Sequence, residues 1–326
     1  MKQNEKSPLS DDLLIDGIDE SYQFIEEGRF YKGVIKINEL MNIDPYYPGL
    51  VEGYRTAKFW NNRKDEINKL NKGKQTADYL MTQWEDFKNY ATKQNMLKSK
   101  AFKVAMKYIF FTASENYKIA FMKHEGTADN YDLLLNLGKC FLTLGEFRSA
   151  IETLEYARSA KKEDAKLLAI LGEAYFNIRE EQKSVLLFRE AFFINPTEID
   201  LTLLESKAIL DLIDIIKEKK FDCDDVREWI PIFGFLEDIF HTKRRLEREQ
   251  YEALKLDIYN LERNFQTINK EKIQNSNIKP RLINKYLWML DYFEIQEYDL
   301  NNQRDIKERL LMIDRDLFEG YFTKDK

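Results

Sequence analysis

Apolar positions along the chain recur at three- and four-residue intervals, the spacing that lines one face of an α-helix. The period is clearest in two adjacent stretches, residues 131–164 (YDLLLNLGKCFLTLGEFRSAIETLEYARSAKKED) and 165–198 (AKLLAILGEAYFNIREEQKSVLLFREAFFINPTE). Displaced by 34 residues, the key positions of the first fall on those of the second. Leu134 meets Leu168, Leu137 meets Leu171, Gly138 meets Gly172, Phe141 meets Tyr175, Ala150 meets Ser184, Leu154 meets Phe188 and Ala157 meets Ala191. Pro196 closes the second copy. A fixed period of this length marks a repeat array, in which no unit buries its apolar face alone and several must stack.

Fainter copies flank this pair. Residues 14–47 carry Phe24, Gly28, Gly33, Ile37, Leu40 and Pro45 at matching positions, and residues 94–127 carry Leu97, Ala101, Val104, Ala113, Tyr117 and Ala120. Between them, 48–93 reads as an elongated, degenerate unit, with helices near 48–61 and 76–95 and an Asn/Lys-rich connection from Asn61 to Lys74. After Pro196 a further unit begins and loses the pattern, with Ser206 at the glycine position. DCDD (222–225) then supplies carboxylates for a helix start, and VREWIPIFGFLEDIFHTK follows with expected interruptions near Pro231 and Gly234. A long charged helix is expected over 243–269, with Leu246, Leu254, Ile258, Leu261, Phe265 and Ile268 on one face. NSNIKP (275–280) breaks the chain, RLINKYLWMLDYFEIQEY (281–298) is dense enough in apolar residues to be buried, and a last helix is expected over 303–319.

The two in-register copies resemble the tetratricopeptide repeat family, whose pattern is a large apolar residue, Leu-Gly, an aromatic, a small residue, an aromatic, Ala and Pro. The resemblance implies an all-α, right-handed superhelical solenoid of paired antiparallel helices, A and B, with a helical C-terminal extension. Gly138, Gly172, Ala150 and Ala157 would stand where the two helices cross closely. The organisation expected is an N-terminal tail (1–13), a solenoid (14–222) and a helical domain (223–326). The solenoid units fall at 14–47, 48–93, 94–130, 131–164, 165–198 and 199–222, the second and last degenerate. The resemblance also implies a concave groove floored by helix-A residues. Carried onto this chain, the partner-binding residues are Tyr22, Lys98, Phe102, Leu135, Lys139, Leu142, Ala169, Glu173 and Phe176, with Phe102, Leu135, Leu142 and Phe176 as anchors. Such a floor is mainly apolar and suits a helical or apolar segment of a partner. It lacks the Asn of repeats that clamp chaperone C-termini. The protein's own C-terminal helices are the competing occupant of the groove.

Composition narrows the chemistry. Only 12 Gly and 6 Pro in 326 residues argue against a fold of many short strands, while 22 Phe, 18 Tyr and 4 Trp supply ample material for a core. Net charge is −6, and neither a basic domain nor a basic stripe points to nucleic acid. Cys140 and Cys223 lie too far apart in sequence for a disulfide framework or zinc knuckle, and the two histidines, His124 and His241, have no ligand partner at metal-binding spacing. Glu180-Glu181 and Asp224-Asp225 are the adjacent carboxylates one would consider for acid–base work, but among 57 acidic residues such pairs arise by chance. The basic run TKRRLER (242–248) is followed at once by Glu249 and Glu252 and reads as a solvated helix face. No Gly-rich phosphate loop, GxSxG or HExxH is present. The expectation is a non-enzymatic protein without metal or cofactor.

The function expected is therefore protein–protein interaction, as a scaffold or adaptor that supports a multiprotein assembly. The alternative is a transient peptide-binding regulator or co-chaperone. REWIPIFGFLEDIFHTKRRL and PRLINKYLWMLDYF resemble helical tails of repeat proteins in motor-associated scaffolds of bacteria with periplasmic flagella. This implies flagellar motor or envelope proteins as partners. The opening MKQNEKSPLSDDLL has no signal-peptide apolar run and no window reaches 18 apolar residues. A cytoplasmic place is expected, with the inner-membrane periphery or a periplasmic motor assembly as the alternative.

Overall fold

The computed structural model describes residues 8–125, 130–219, 225–240, 245–267 and 277–322. Of these, 81% are helical and none lies in a strand. By compactness the chain divides into Met1–Ala160 and Lys161–Lys326. The sequence boundary at 222/223 marks a different property, the fading of the repeat pattern.

In Met1–Ala160 the helices are α1 (Pro8–Glu26), α2 (Phe30–Ile43), α3 (Leu50–Asn61), α4 (Lys64–Lys69), α5 (Lys74–Lys93), α6 (Lys100–Met122), α7 (Tyr131–Leu144) and α8 (Phe147–Ala160). α1 starts inside the stretch read as a tail, and the short α4 lies inside the stretch read as a loop. Neighbours in sequence pack as neighbours in space. In α5 and α6 the order of contacts shows an antiparallel hairpin. Tyr117 Oη donates to Asp78 at 2.9 Å, the rings of Trp84 and Phe110 lie 5.3 Å apart, and those of Phe87 and Phe102 lie 5.6 Å apart.

This hairpin corrects the unit read at 94–130. α6 is one helix of 23 residues, not a helix-turn-helix. The turn sits before it. Asn95 adopts φ 55°, and the Ser99 side chain accepts from Phe102 N–H to start α6. No Gly or Pro interrupts 100–122. α5 is therefore the first helix of the pair and α6 the second.

One turn recurs at the hairpins. Arg29 N–H donates to the Phe24 carbonyl (2.7 Å), Met96 to Ala91 (2.9 Å), Glu146 to Phe141 (2.9 Å) and Glu180 to Tyr175 (3.0 Å). The residue before each donor, Gly28, Asn95, Gly145 and Arg179 in turn, is left-handed. This is the six-to-one bond that ends a helix by giving its last carbonyls partners. The last two turns are displaced by the same 34 residues as the sequence copies. The close approach behind each of these two turns is displaced likewise. A Cβ on Gly138 would stand 2.5 Å from Leu154 Cγ, and one on Gly172 3.1 Å from the Phe188 ring.

In Lys161–Lys326, α9 (Ala165–Asn177) packs along α10 (Glu181–Ile194), and 3₁₀ turns at Pro196–Glu198 and Leu201–Leu203 lead to α11 (Lys207–Glu218). α12 (Val226–Leu236), α13 (Arg248–Thr267), α14 (Ile278–Ile295), α15 (Leu300–Ile313) and α16 (Arg315–Phe322) follow. α14 packs against α12, α13 and α15, and most of its residues are buried. α12 runs through Pro231 without the expected break, although proline there has no N–H to give the Arg227 carbonyl one turn earlier. The chain turns instead beyond Leu236, where Phe240 N–H donates to the Gly234 carbonyl at 2.7 Å. The helix expected over 303–319 is two, α15 and α16. They part at Asp314, an extended residue whose carboxylate accepts from Leu317 N–H and pairs with Lys279 at 2.8 Å.

Candidate partner-binding surfaces

The nine residues expected on the groove floor go to different places. Tyr22 is buried in α1, where its hydroxyl donates to the Gly49 carbonyl at 2.9 Å and holds the turn between α2 and α3. Burial, with help from Glu52 and Asp19, pushes this phenol up to about 12. Lys98 is exposed in the turn before α6. Phe102 lies on the second helix of its hairpin, inside a cluster with Trp84 and Phe87. It is 8% exposed, so this anchor is core. Both placements have one cause, since the helix expected first in the 94–130 unit is the second helix of the observed hairpin and Lys98 falls in the turn before it.

α7 carries three of the expected residues. Leu135 and Lys139 are half-buried on one face, with Leu142 buried a turn further on. This face is continuous with α5, since Lys139 Nζ lies 3.8 Å from a Glu85 carboxylate oxygen and Cys140 Sγ 4.0 Å from Met81 Sδ. Met81 and Glu85, absent from the sequence-derived set, thus border the same surface.

On α9 the equivalent face is closed. Ala169 and Glu173 are buried, and Phe176 is half-buried. Glu173 holds the chain's own backbone. One carboxylate oxygen accepts from Glu205 N–H at 2.9 Å and from Asn177 Nδ2 at 3.2 Å, and the other from Ser206 N–H at 3.2 Å. Burial raises the Glu173 carboxyl above its usual value, and the donors from Glu205 and Ser206 pull it back. At this helix the position is covered by the segment before α11, which belongs to the stretch read as the last repeat unit and not to the C-terminal helices expected as the competing occupant. Glu173→Ala should therefore destabilise the chain by about 2 kcal/mol, because two backbone donors lose their acceptor. Thermal unfolding of the variant beside wild type measures this, and an unchanged midpoint would exclude the tether.

Cys140 is fully buried and burial pushes its thiol up to about 12, which suits a small core side chain and not a nucleophile. His124 is an exposed turn residue after α6. Glu180 and Glu181 open α10, and Asp225 caps α12, accepting from Arg227 N–H at 3.2 Å and pairing with its guanidinium at 2.8 Å. Among the described residues no group of three or more His, Cys, Asp or Glu is placed to hold a metal ion, and no helix is long and apolar enough to cross a membrane. Cys223, Asp224, His241, residues 242–244 and Ile268 lie outside the described residues.

Sequence reasoning missed a cleft of about 480 Å³ in Lys161–Lys326, bordered by the end of α10, the start of α12 and facing stretches of α13 and α14. Its charged residues, Glu228, Asp257, Arg281 and Lys285, come from three helices with no shared motif, so no local signal joins them. No protein-family model matches the chain, and no curated protein matches it in sequence.

Proposed function

We propose that the chain is a tetratricopeptide-type helical-repeat scaffold that binds a helical or apolar segment of partner proteins and supports a multiprotein assembly. The observation that carries this reading is the doubled geometry of α7–α8 and α9–α10. The glycine-to-large-residue contact and the left-handed turn both recur at a 34-residue displacement. Units of this kind expose the faces of their first helices, and stacked helical repeats use such faces to bind. Leu135 and Lys139 on α7, with Met81 and Glu85 on α5, form the face that fits: an apolar strip with one charge of each sign. The self-closed α9 favours a short, specific contact within an assembly over a long peptide grip of the co-chaperone kind. Flagellar motor and envelope proteins are the first partners to seek, from the resemblance of the tail.

The test is affinity purification of the tagged chain from its native source, followed by mass spectrometry of stoichiometric partners, with Leu135→Lys as the control. Wild type should retain a fixed set of partners, and Leu135→Lys should lose them while its circular dichroism stays unchanged. Retention of the same set by the variant would remove α7 from the interface. A scatter of substoichiometric clients would favour the transient regulator.

A further inference from the structure

A groove of about 310 Å³ in Lys161–Lys326 runs between α13 and α15, over α14. Contacts along the three helices fix its geometry. α13 and α14 are antiparallel, since the Tyr251 ring stacks on Tyr292 at 4.1 Å and Asp257 pairs with Lys285 at 3.1 Å. α14 and α15 are antiparallel too, since Gln303 Nε2 donates to the Phe293 carbonyl at 3.0 Å and Lys279 pairs with Asp314 at 2.8 Å. α13 and α15 are therefore parallel walls. From Tyr251 to Glu262 the α13 wall runs about 16 Å, or three helical turns. Arg309 closes one end, crossing from α15 to pair with Glu262 of α13 at 2.7 Å.

The floor is apolar without being sealed. Ile258, Met289, Phe293 and Ile306 line it, and each keeps 4–9% of its surface open. On the α13 rim Tyr259 is 62% exposed. Tyr, Phe, Met and Arg together are the side chains that concentrate at the cores of protein–protein interfaces. Parallel helical walls about three turns long suit an amphipathic helix laid apolar face down. The charges select which helix. Glu262 and Asp305 share one cation, Arg309, through its Nη1 at 2.7 Å and its Nε at 2.8 Å. Lys255 has a carboxylate of its own, Glu252, at 3.0 Å. These pairings leave one negative charge in excess at the Arg309 end, where the Asp305 side chain is 55% exposed. A base on the partner is its complement.

We propose that this groove docks a basic amphipathic helix of a partner protein. The helix lays its apolar stripe on Met289, Phe293 and Ile306, Tyr259 packs along its side, and a Lys or Arg beside the stripe meets Asp305. The groove shares no residue with the α7 face and stands independently of it.

The test uses the full chain and a fluorescein-labelled helical peptide amide, AKALAKLLAKLAAKA, read by fluorescence anisotropy. Its acidic counterpart, AEALAELLAELAAEA, carries the same leucine stripe. The basic helix should bind saturably and more tightly than the acidic one. Tyr259→Ala alters an exposed side chain and no charge, and should weaken that binding about tenfold. Asp305→Lys, also at an exposed position, should reverse the order of the two helices. Absence of saturable binding, equal binding by wild type and Tyr259→Ala, or an unreversed order in Asp305→Lys would each overturn the assignment. Self-association of the free chain that Tyr259→Ala abolishes, seen by sedimentation velocity, would give the groove to a second copy and overturn it too.

Discussion

Replacing Arg189 by methionine should lower the stability of the chain by about 3–5 kcal/mol. Arg189 on α10 and Asp291 on α14 form a direct ion pair with side chains only 6% and 1% exposed. The guanidinium also lies 5.1 Å from the Trp288 ring. Burial pulls Arg189 down to about 10, the mark of a charged group removed from water, yet 10 is far enough above neutral pH that it stays charged. Taking the guanidinium away removes the counter-charge of a carboxylate held in the interior, and that desolvation cost dominates. Removing both charges is different. Arg189→Met with Asp291→Leu should recover most of the loss, because two apolar side chains need no counter-ion. Urea unfolding followed by tryptophan fluorescence compares the three proteins. A single variant within about 1 kcal/mol of wild type, or a double variant no better than the single, would refute the account.

Phe102→Ala should be nearly as severe, at about 3–5 kcal/mol. The ring centroid lies 5.0 Å from that of Trp84 and 5.6 Å from that of Phe87. Both neighbours are themselves buried, so the surrounding helices cannot readily close over the void. Phe176→Ala should cost less than half as much, since that ring is half-buried. Had Phe102 been a groove anchor, its removal would have weakened partner binding and left stability nearly unchanged. The two expectations separate cleanly: urea unfolding of Phe102→Ala reads the core, and co-purification reads the surface. A loss of partners without a loss of stability would return Phe102 to the groove.

The fate of Phe102 also shows how far one-dimensional patterning reaches. Apolar spacing of three and four residues is imposed by helix geometry itself, so the helices were legible where the spacing was regular, as in α7 to α10 and in α14. The glycines at 138 and 172 were legible too, because a Cβ there has no room. Where the pattern was weak, around residues 94–127, periodicity located a helix but not its partner. The deciding residue was Asn95, whose left-handed turn places α6 second in its hairpin. Asparagine tolerates that conformation without requiring it, so sequence alone carries a faint signal there.

The sequence by itself determined the all-α class, the 34-residue period of the central copies and the face that each regular helix buries, since these follow from local geometry and from the need to hide apolar surface. Tertiary structure alone decided which exposed-looking positions stay open. Lys139 and Glu173 occupy equivalent places on α7 and α9, yet one meets Glu85 across a half-open face and the other is sealed by the backbone of Glu205 and Ser206. It also decided that Glu228, Asp257, Arg281 and Lys285 share one cleft. Such juxtapositions depend on how distant segments return to one another, and the packing of whole helices sets that.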